Sequence, residues 1–343
     1  MSVLSTLLHH VDTAPASDAG FLAFKTFTTP DLEKVNKLIL EKLYSSVPLI
    51  PEVANHLIQT GGKRVRPCLT LAATKLFSET EHRQIGLATA VEFIHTATLL
   101  HDDVVDESEL RRGQATANTI FGNKSSVLVG DFLFARAFEL MVDDGSMQTL
   151  KSLARASSII AEGEVLQLAT TCNLETTEAD YIKVISYKTG ELFASAANVA
   201  GLICDRSEAE VKALYDYGLS LGIAFQVIDD ILDYSAKQQE LGKSIGNDFS
   251  ECKMTLPVIH AYQNATTADE KAFWTRCVEN KIQNPADFNQ ALSYIQKNKS
   301  LDYAFDKAEQ YGKIALQSLK SLPQNQANVI LRDLIHFVLN RGY

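Results

Sequence analysis

The sequence predicts an all-α protein built as one large helical bundle, and three observations carry that expectation. Prolines stand at positions 15, 30, 48, 51, 67, 257, 285 and 323, leaving none in the 189 residues from Cys68 to Leu256, a gap that favours helix. Within the gap apolar residues recur at helical spacing, as in Val91, Ile94, Thr98 and His101 beside Phe93, Ala97 and Leu100, so both faces of that segment read as buried core helix. No segment shows the alternation of a half-buried strand.

Taken in order, residues 1–28 read as an N-terminal arm, loose or partner-dependent, and residues 29–343 as a single domain. Thr29-Pro30-Asp31-Leu32 reads as an N-cap with proline at the first helical position, followed by Leu32, Val35, Ile39 and Leu43 on one stripe. Polar breaks at 60–64, 143–146, 172–178 and 235–254, all but the third containing glycine, are short enough to join helices within one unit. The 343 residues are 46% hydrophobic and 22% charged, an ordinary globular composition. A net charge of −10 opposes broad nucleic-acid binding, and no apolar run approaches the ~18 residues of a membrane span. Five scattered cysteines without a C-x-x-C pair read as reduced thiols of a cytoplasmic protein. The first Lys or Arg is Lys25, so the basic start of a secretory signal is not expected.

Chemistry concentrates in two aspartate clusters. Asp102 and Asp106 stand four apart on one helix face, with Asp103 rotated by ~100°, and Asp229, Asp230 and Asp233 repeat the pattern. Like charges at this spacing in apolar flanks call for a compensating cation, and Mg²⁺ suits them because it prefers one or two carboxylates with water and phosphate oxygens. A solvated acidic face explains one such cluster as well, but two in apolar flanks far less so. A di-iron bundle is poorly matched, since Glu92-Phe93-Ile94-His95 supplies one Glu-x-x-His element and no second is found. Cations sit where a diphosphate needs them: Gly61-Gly62-Lys63-Arg64-Val65-Arg66-Pro67, Arg111-Arg112-Gly113, Lys188, Lys243 and Lys253. Each lysine alone is more often a surface charge.

Together these elements, with His95, Thr189, Phe225-Gln226 and Gly242, resemble the trans-isoprenyl diphosphate synthases in order and approximate spacing, over roughly residues 30 to 343. Residues 93–112 and 161–168 are most similar to bacterial octaprenyl and decaprenyl diphosphate synthases, which make quinone side chains. The resemblance implies an all-helical homodimer of the isoprenoid synthase type that condenses isopentenyl diphosphate onto an allylic diphosphate such as farnesyl diphosphate. It implies that Asp102 and Asp106, with Asp103 nearby, and Asp229 hold three Mg²⁺ ions on the allylic diphosphate. Arg111, Lys188 and Lys243 would bind that diphosphate, and Lys253 is placed with the substrate-binding cations. Lys63, Arg66, His95 and Arg112 would hold isopentenyl diphosphate, while Thr189 and Gln226 would lie near the carbocation. Small Ala97 and Thr98 before the first cluster would let a long product pass. Shorter-chain synthases making geranylgeranyl or farnesyl diphosphate share both motifs; a terpene cyclase is disfavoured by the basic loop and second cluster, and a non-catalytic subunit by the intact aspartates.

Overall fold

A computed structural model describes residues 16–59, 62–77, 82–111, 113–235 and 245–341. Helices α1 (Ala16–Lys42), α2 (Leu49–Gln59), α3 (Val65–Thr74) and α4 (Arg83–Val105) lead into a two-residue-per-strand hairpin, Leu110–Arg111 with Gln114–Ala115. There follow α5 (Ala117–Phe121), α6 (Asn123–Asp143), α7 (Met147–Thr170) and α8 (Glu178–Ile185). A π-helical turn at Ser186–Gly190 passes directly into α9 (Glu191–Ile203), and α10 (Glu208–Asp233) comes next. The chain ends in α11 (Asn247–Ser250), α12 (Leu256–Gln263), α13 (Ala268–Trp274), α14 (Asp287–Lys297), α15 (Ser300–Ser318) and α16 (Gln326–Asn340). The protein is all-α; the tiny hairpin is the sheet that the sequence reading did not expect.

Several starts follow from local chemistry. Thr177 with Asp180 opens α8, and Ser207 with Glu210 opens α10, each as a reciprocal capping box that satisfies otherwise unpaired backbone donors. The expected start at Thr29-Pro30 is different: α1 begins at Ala16 and Pro30 lies inside it. Thr29 is not an N-cap, because its hydroxyl donates back to the Lys25 carbonyl at 2.8 Å, and Thr28 does the same to Phe24 at 3.0 Å. Residues 16–28, assigned above to an arm, are the first turns of this helix, and Phe24 is fully buried. Residues 1–15 of that arm lie outside the described residues.

Two hydrophobic clusters share α10. The larger gathers α1, α3, α4, α6, α7, α9 and α16 around Phe24, Phe93, Phe193 and Tyr217. The smaller gathers α8 and α11–α15 around Trp274, Phe249 and Ile228. Helices α9 and α10 touch along their length, and a Cβ at Gly218 would stand 2.3 Å from the Phe193 carbonyl oxygen, so only glycine permits this approach. Bound on both sides, α10 carries its last turn, with the second aspartate cluster, to a fixed place opposite the end of α4. Among the described residues no helix is long and apolar enough to cross a membrane.

Candidate active site

The last turns of α4 and α10 open on one cavity of about 670 Å³. From α4 and the residue that caps its end it receives His95, Thr98, Asp102 and Asp106, a three-four-four spacing that lines one helix face. Asp103 is turned away, fully buried, and bound by the Arg111 guanidinium at 2.7 and 2.9 Å. Gly113, at φ +77, allows the hairpin to fold Arg111 back onto that carboxylate. Burial raises the Asp102 carboxyl above its usual range and the charge of Asp106 adds to this, while Lys188 and Arg111 oppose it.

The second cluster divides differently. Asp229 faces the cavity and takes an ion pair from Arg341 at 2.8 Å, whose guanidinium also stacks 3.8 Å over the Phe225 ring. Asp230 is buried and accepts hydrogen bonds from Tyr181 at 2.7 Å and Gln226 at 2.8 Å. Desolvation pushes its carboxyl up to about 7. Asp233 accepts from the backbone N–H groups of Asp248 at 2.9 Å and Asn247 at 3.3 Å, thereby seating the start of α11. Of the two motifs, therefore, Asp102, Asp106 and Asp229 line the cavity; Asp103, Asp230 and Asp233 do not.

The π turn delivers Lys188 and Thr189 to the same space, a local widening of the helix that recurs at functional sites. Gly163 of α7 makes room for it, since a Cβ there would lie 2.7 Å from the Lys188 nitrogen. Lys188 Nζ is held by Glu164 at 2.6 Å and Gln167 at 2.7 Å, with Asp102 at 3.8 Å. Burial raises the Glu164 carboxyl to about 7. Thr189 donates to Gln226 at 2.9 Å, which joins it to Asp230 and Tyr181 in one hydrogen-bonded chain. Lys253 reaches across to Asp106 at 3.1 Å, and Glu251 also binds it.

The remaining wall is basic. Arg66 contacts His95 at 3.2 Å and lies over the Phe193 ring, its pKa lowered by burial to about 10. Lys63 sits 5.5 Å above both Phe21 and Phe337, so helices α1 and α16 support the basic loop. Arg64 pairs with buried Glu92. Arg112 and Lys243 lie outside the described residues. Of the two small residues before the first cluster, Thr98 lines the cavity, whereas Ala97 is fully buried in the larger core and is not part of the lining. Sequence reasoning missed Arg341, Glu164 and Gln167. Glu164 and Gln167 share a face of α7 by their three-residue spacing, but Arg341 has no local signal beyond a late cation.

Among the described residues no three His, Cys, Asp or Glu side chains converge on one point, so a closed protein cage is not formed. The donors offered are carboxylate oxygens of Asp102, Asp106 and Asp229 facing open volume. That set fits a hard divalent cation whose other ligands are water or phosphate oxygens. Cations and carboxylates alternating around one cavity thus provide for a metal-bound polyanion.

Comparison with known proteins agrees with this geometry. The polyprenyl synthetase family model matches residues 47–295. Octaprenyl diphosphate synthase of Haemophilus influenzae is 44% identical over 92% of this chain and 95% of its own. The crystal structure of a decaprenyl diphosphate synthase from Rhodobacter capsulatus superposes with a TM-score of 0.91 at 48% identity, covering 94% of this chain and 99% of that one. A polyprenyl synthase from Caulobacter crescentus, solved with calcium and isoprenyl diphosphate, gives 0.90 at 46% identity, covering 94% and 98%. With its helical bundle and paired aspartate-bearing helix ends, the chain belongs to the polyprenyl synthetase family.

Proposed function

We propose that the protein is a long-chain all-trans polyprenyl diphosphate synthase, a prenyltransferase that adds isopentenyl diphosphate repeatedly to an allylic diphosphate such as farnesyl diphosphate. Its product is of octaprenyl to decaprenyl length, suited to quinone side chains. The observation that carries the reading is the convergence of Asp102, Asp106 and Asp229 on one cavity whose other walls are cationic. Relatives named octaprenyl and decaprenyl diphosphate synthase support the long-chain form.

Asp102, Asp106 and Asp229 would hold Mg²⁺, three ions with the diphosphate bound. Magnesium, when bound, supplies Lewis-acid stabilisation of charge on the departing diphosphate. Arg111, Lys188 and Lys253, joined by Lys243, bind the allylic diphosphate, and their fixed positive charge favours its departure. Lys63, Arg66 and His95 hold isopentenyl diphosphate on the opposite wall, and Arg112 is assigned to the same substrate. The hydroxyl hydrogen of Thr189 is committed to Gln226, so its oxygen lone pairs are available to a carbocation without trapping it covalently. The proton lost after carbon–carbon bond formation passes to the released diphosphate, and the chain needs no covalent nucleophile.

The protein acts as a homodimer: α6 and α7 leave Leu128, Val142, Val165 and Leu168 each at least 60% exposed, an apolar face that a second copy would cover. The five free thiols fit a cytoplasmic location.

The test combines protein, Mg²⁺, labelled isopentenyl diphosphate and farnesyl diphosphate and measures product length by chromatography. Octaprenyl to decaprenyl products are expected, and Thr98→Phe, which puts a ring into the cavity wall beside Asp102, should release products only a few isoprene units long. Products ending at geranylgeranyl length in the unaltered protein would favour a shorter-chain synthase; no incorporation would reject the reading.

A further inference from the structure

None of the five cysteines belongs to the site above, yet two that are distant in the sequence meet beside it. Cys172 follows the end of α7 and Cys252 follows α11. The Cys172 N–H donates to the Cys252 carbonyl at 2.9 Å. That bond brings the two backbones into direct contact, and the two side chains meet as well, the proximity a disulfide requires. The Cys252 thiol is also in hydrogen-bond contact with Cys172, and burial, with that contact, pushes its pKa up to about 11. Both residues hold positive φ, +61 and +55, a backbone that non-glycine residues adopt only when the surroundings enforce it. Cys172 is half-buried and open to a small reagent, whereas Cys252 is 4% exposed.

The pair flanks the catalytic machinery on two sides. Thr170 and Thr171, just before Cys172, and Lys253 and Met254, just after Cys252, line one cavity of about 130 Å³ adjoining the main one. Lys253 holds Asp106 at 3.1 Å, a contact that must loosen if Asp106 is to serve a metal-bound diphosphate. A covalent tie at the preceding residue would restrain that exchange.

We propose that Cys172 and Cys252 form a dithiol that a low-molecular-weight disulfide reversibly converts into a cross-link between the end of α7 and the segment carrying Lys253, lowering turnover. The Cys172 thiolate attacks the reagent, breaking its S–S bond, forming a mixed disulfide and releasing one thiolate. The Cys252 thiolate then attacks the Cys172 sulfur, forming the internal bond and expelling the second thiolate. The two cysteine protons pass to the two leaving thiolates, so the protein is oxidised by two electrons and the reagent reduced to two thiols. Transient disulfides of this kind are the form expected in a reducing compartment.

The effect on turnover rests on the synthase reading, but formation of the bond does not. The full chain is incubated with oxidised glutathione, alkylated, digested and mapped by mass spectrometry, and product formation is followed before oxidation, after it and after dithiothreitol. A Cys172–Cys252 linked peptide is expected, with two of the five thiols lost to alkylation and a several-fold fall in turnover that dithiothreitol restores. Cys172→Ser and Cys252→Ser should each keep the starting turnover and ignore the oxidant. No linked peptide, or a Cys252–Cys277 link instead, would overturn the pair; a correct link with unchanged turnover would overturn the switch.

Discussion

The two aspartate clusters have the same spacing yet place their carboxylates differently. At the first position they agree: Asp102 and Asp229 both reach the cavity, each opposite a cation, Lys188 at 3.8 Å and Arg341 at 2.8 Å. At the second position both turn inward, but Asp103 meets a guanidinium while Asp230 meets a phenol and an amide. At the third they part. Asp106 stays in the cavity with Lys253, whereas Asp233 is committed to backbone donors of the following segment. A repeated motif fixes which carboxylates share a helix face; the chain that follows each helix decides which of them remain free for chemistry.

The largest effects should come from the positions where the clusters agree. Asp102→Ala and Asp229→Ala should each lower the condensation rate by on the order of 10²-fold or more, the scale of losing a main stabiliser of transition-state charge, with melting temperatures nearly unchanged. Steady-state turnover in Mg²⁺ checks this, and near-normal rates in either variant would remove that carboxylate from the metal set. The third positions should separate. Asp106→Ala should lose on the order of 10-fold or more in turnover. Asp233→Ala should lose only a few-fold, while costing about 1 kcal/mol of stability as an N-terminal cap is lost. Equal kinetic losses in the two variants would mean that Asp233 also reaches the substrate.

Much of this was written in the sequence. The proline-free stretch gave the bundle, and the four-residue spacing put Asp102 with Asp106 on one face. The orientation of α4 came only with the structure: Thr98 and Asp102 line the cavity, while Ala97 lies in the core and the His101 ring contacts the Val127 carbonyl of α6 at 3.1 Å. That both residues are small does not by itself say which of them faces the cavity. Other features depend on contacts between distant segments. Arg341 reaches Asp229 only because α16 packs beside α1 and α10. Asp233 becomes a cap only once residues 246–248 fold back over it. Pro30 misled because a proline opening a helix and one tolerated inside it look alike when the preceding threonines can turn their hydroxyls either way.

The finest test of the comparison lies at the second positions. Asp103→Asn leaves the Arg111 guanidinium without its counter-charge, a loss of about 1.5–3 kcal/mol for hydrogen bonds to a charged group. Asp230 behaves otherwise, because burial raises its carboxyl to about 7 from an ordinary value near 3.8. Between those values the folded protein binds a proton that the unfolded chain has released, so the carboxyl's contribution to stability falls as pH rises from about 4 to about 7 and is level above. Asp230→Asn removes that titration while giving up one acceptor for Tyr181 or Gln226. The unaltered protein should therefore hold its greatest advantage over this variant near pH 4–5 and lose part of it by pH 7–8. Melting temperatures of both variants across pH 5 to 8 provide the check. An advantage over Asp230→Asn that does not change with pH would mean that the buried carboxyl carries no proton in that range, and that the two inward aspartates differ only in their partners.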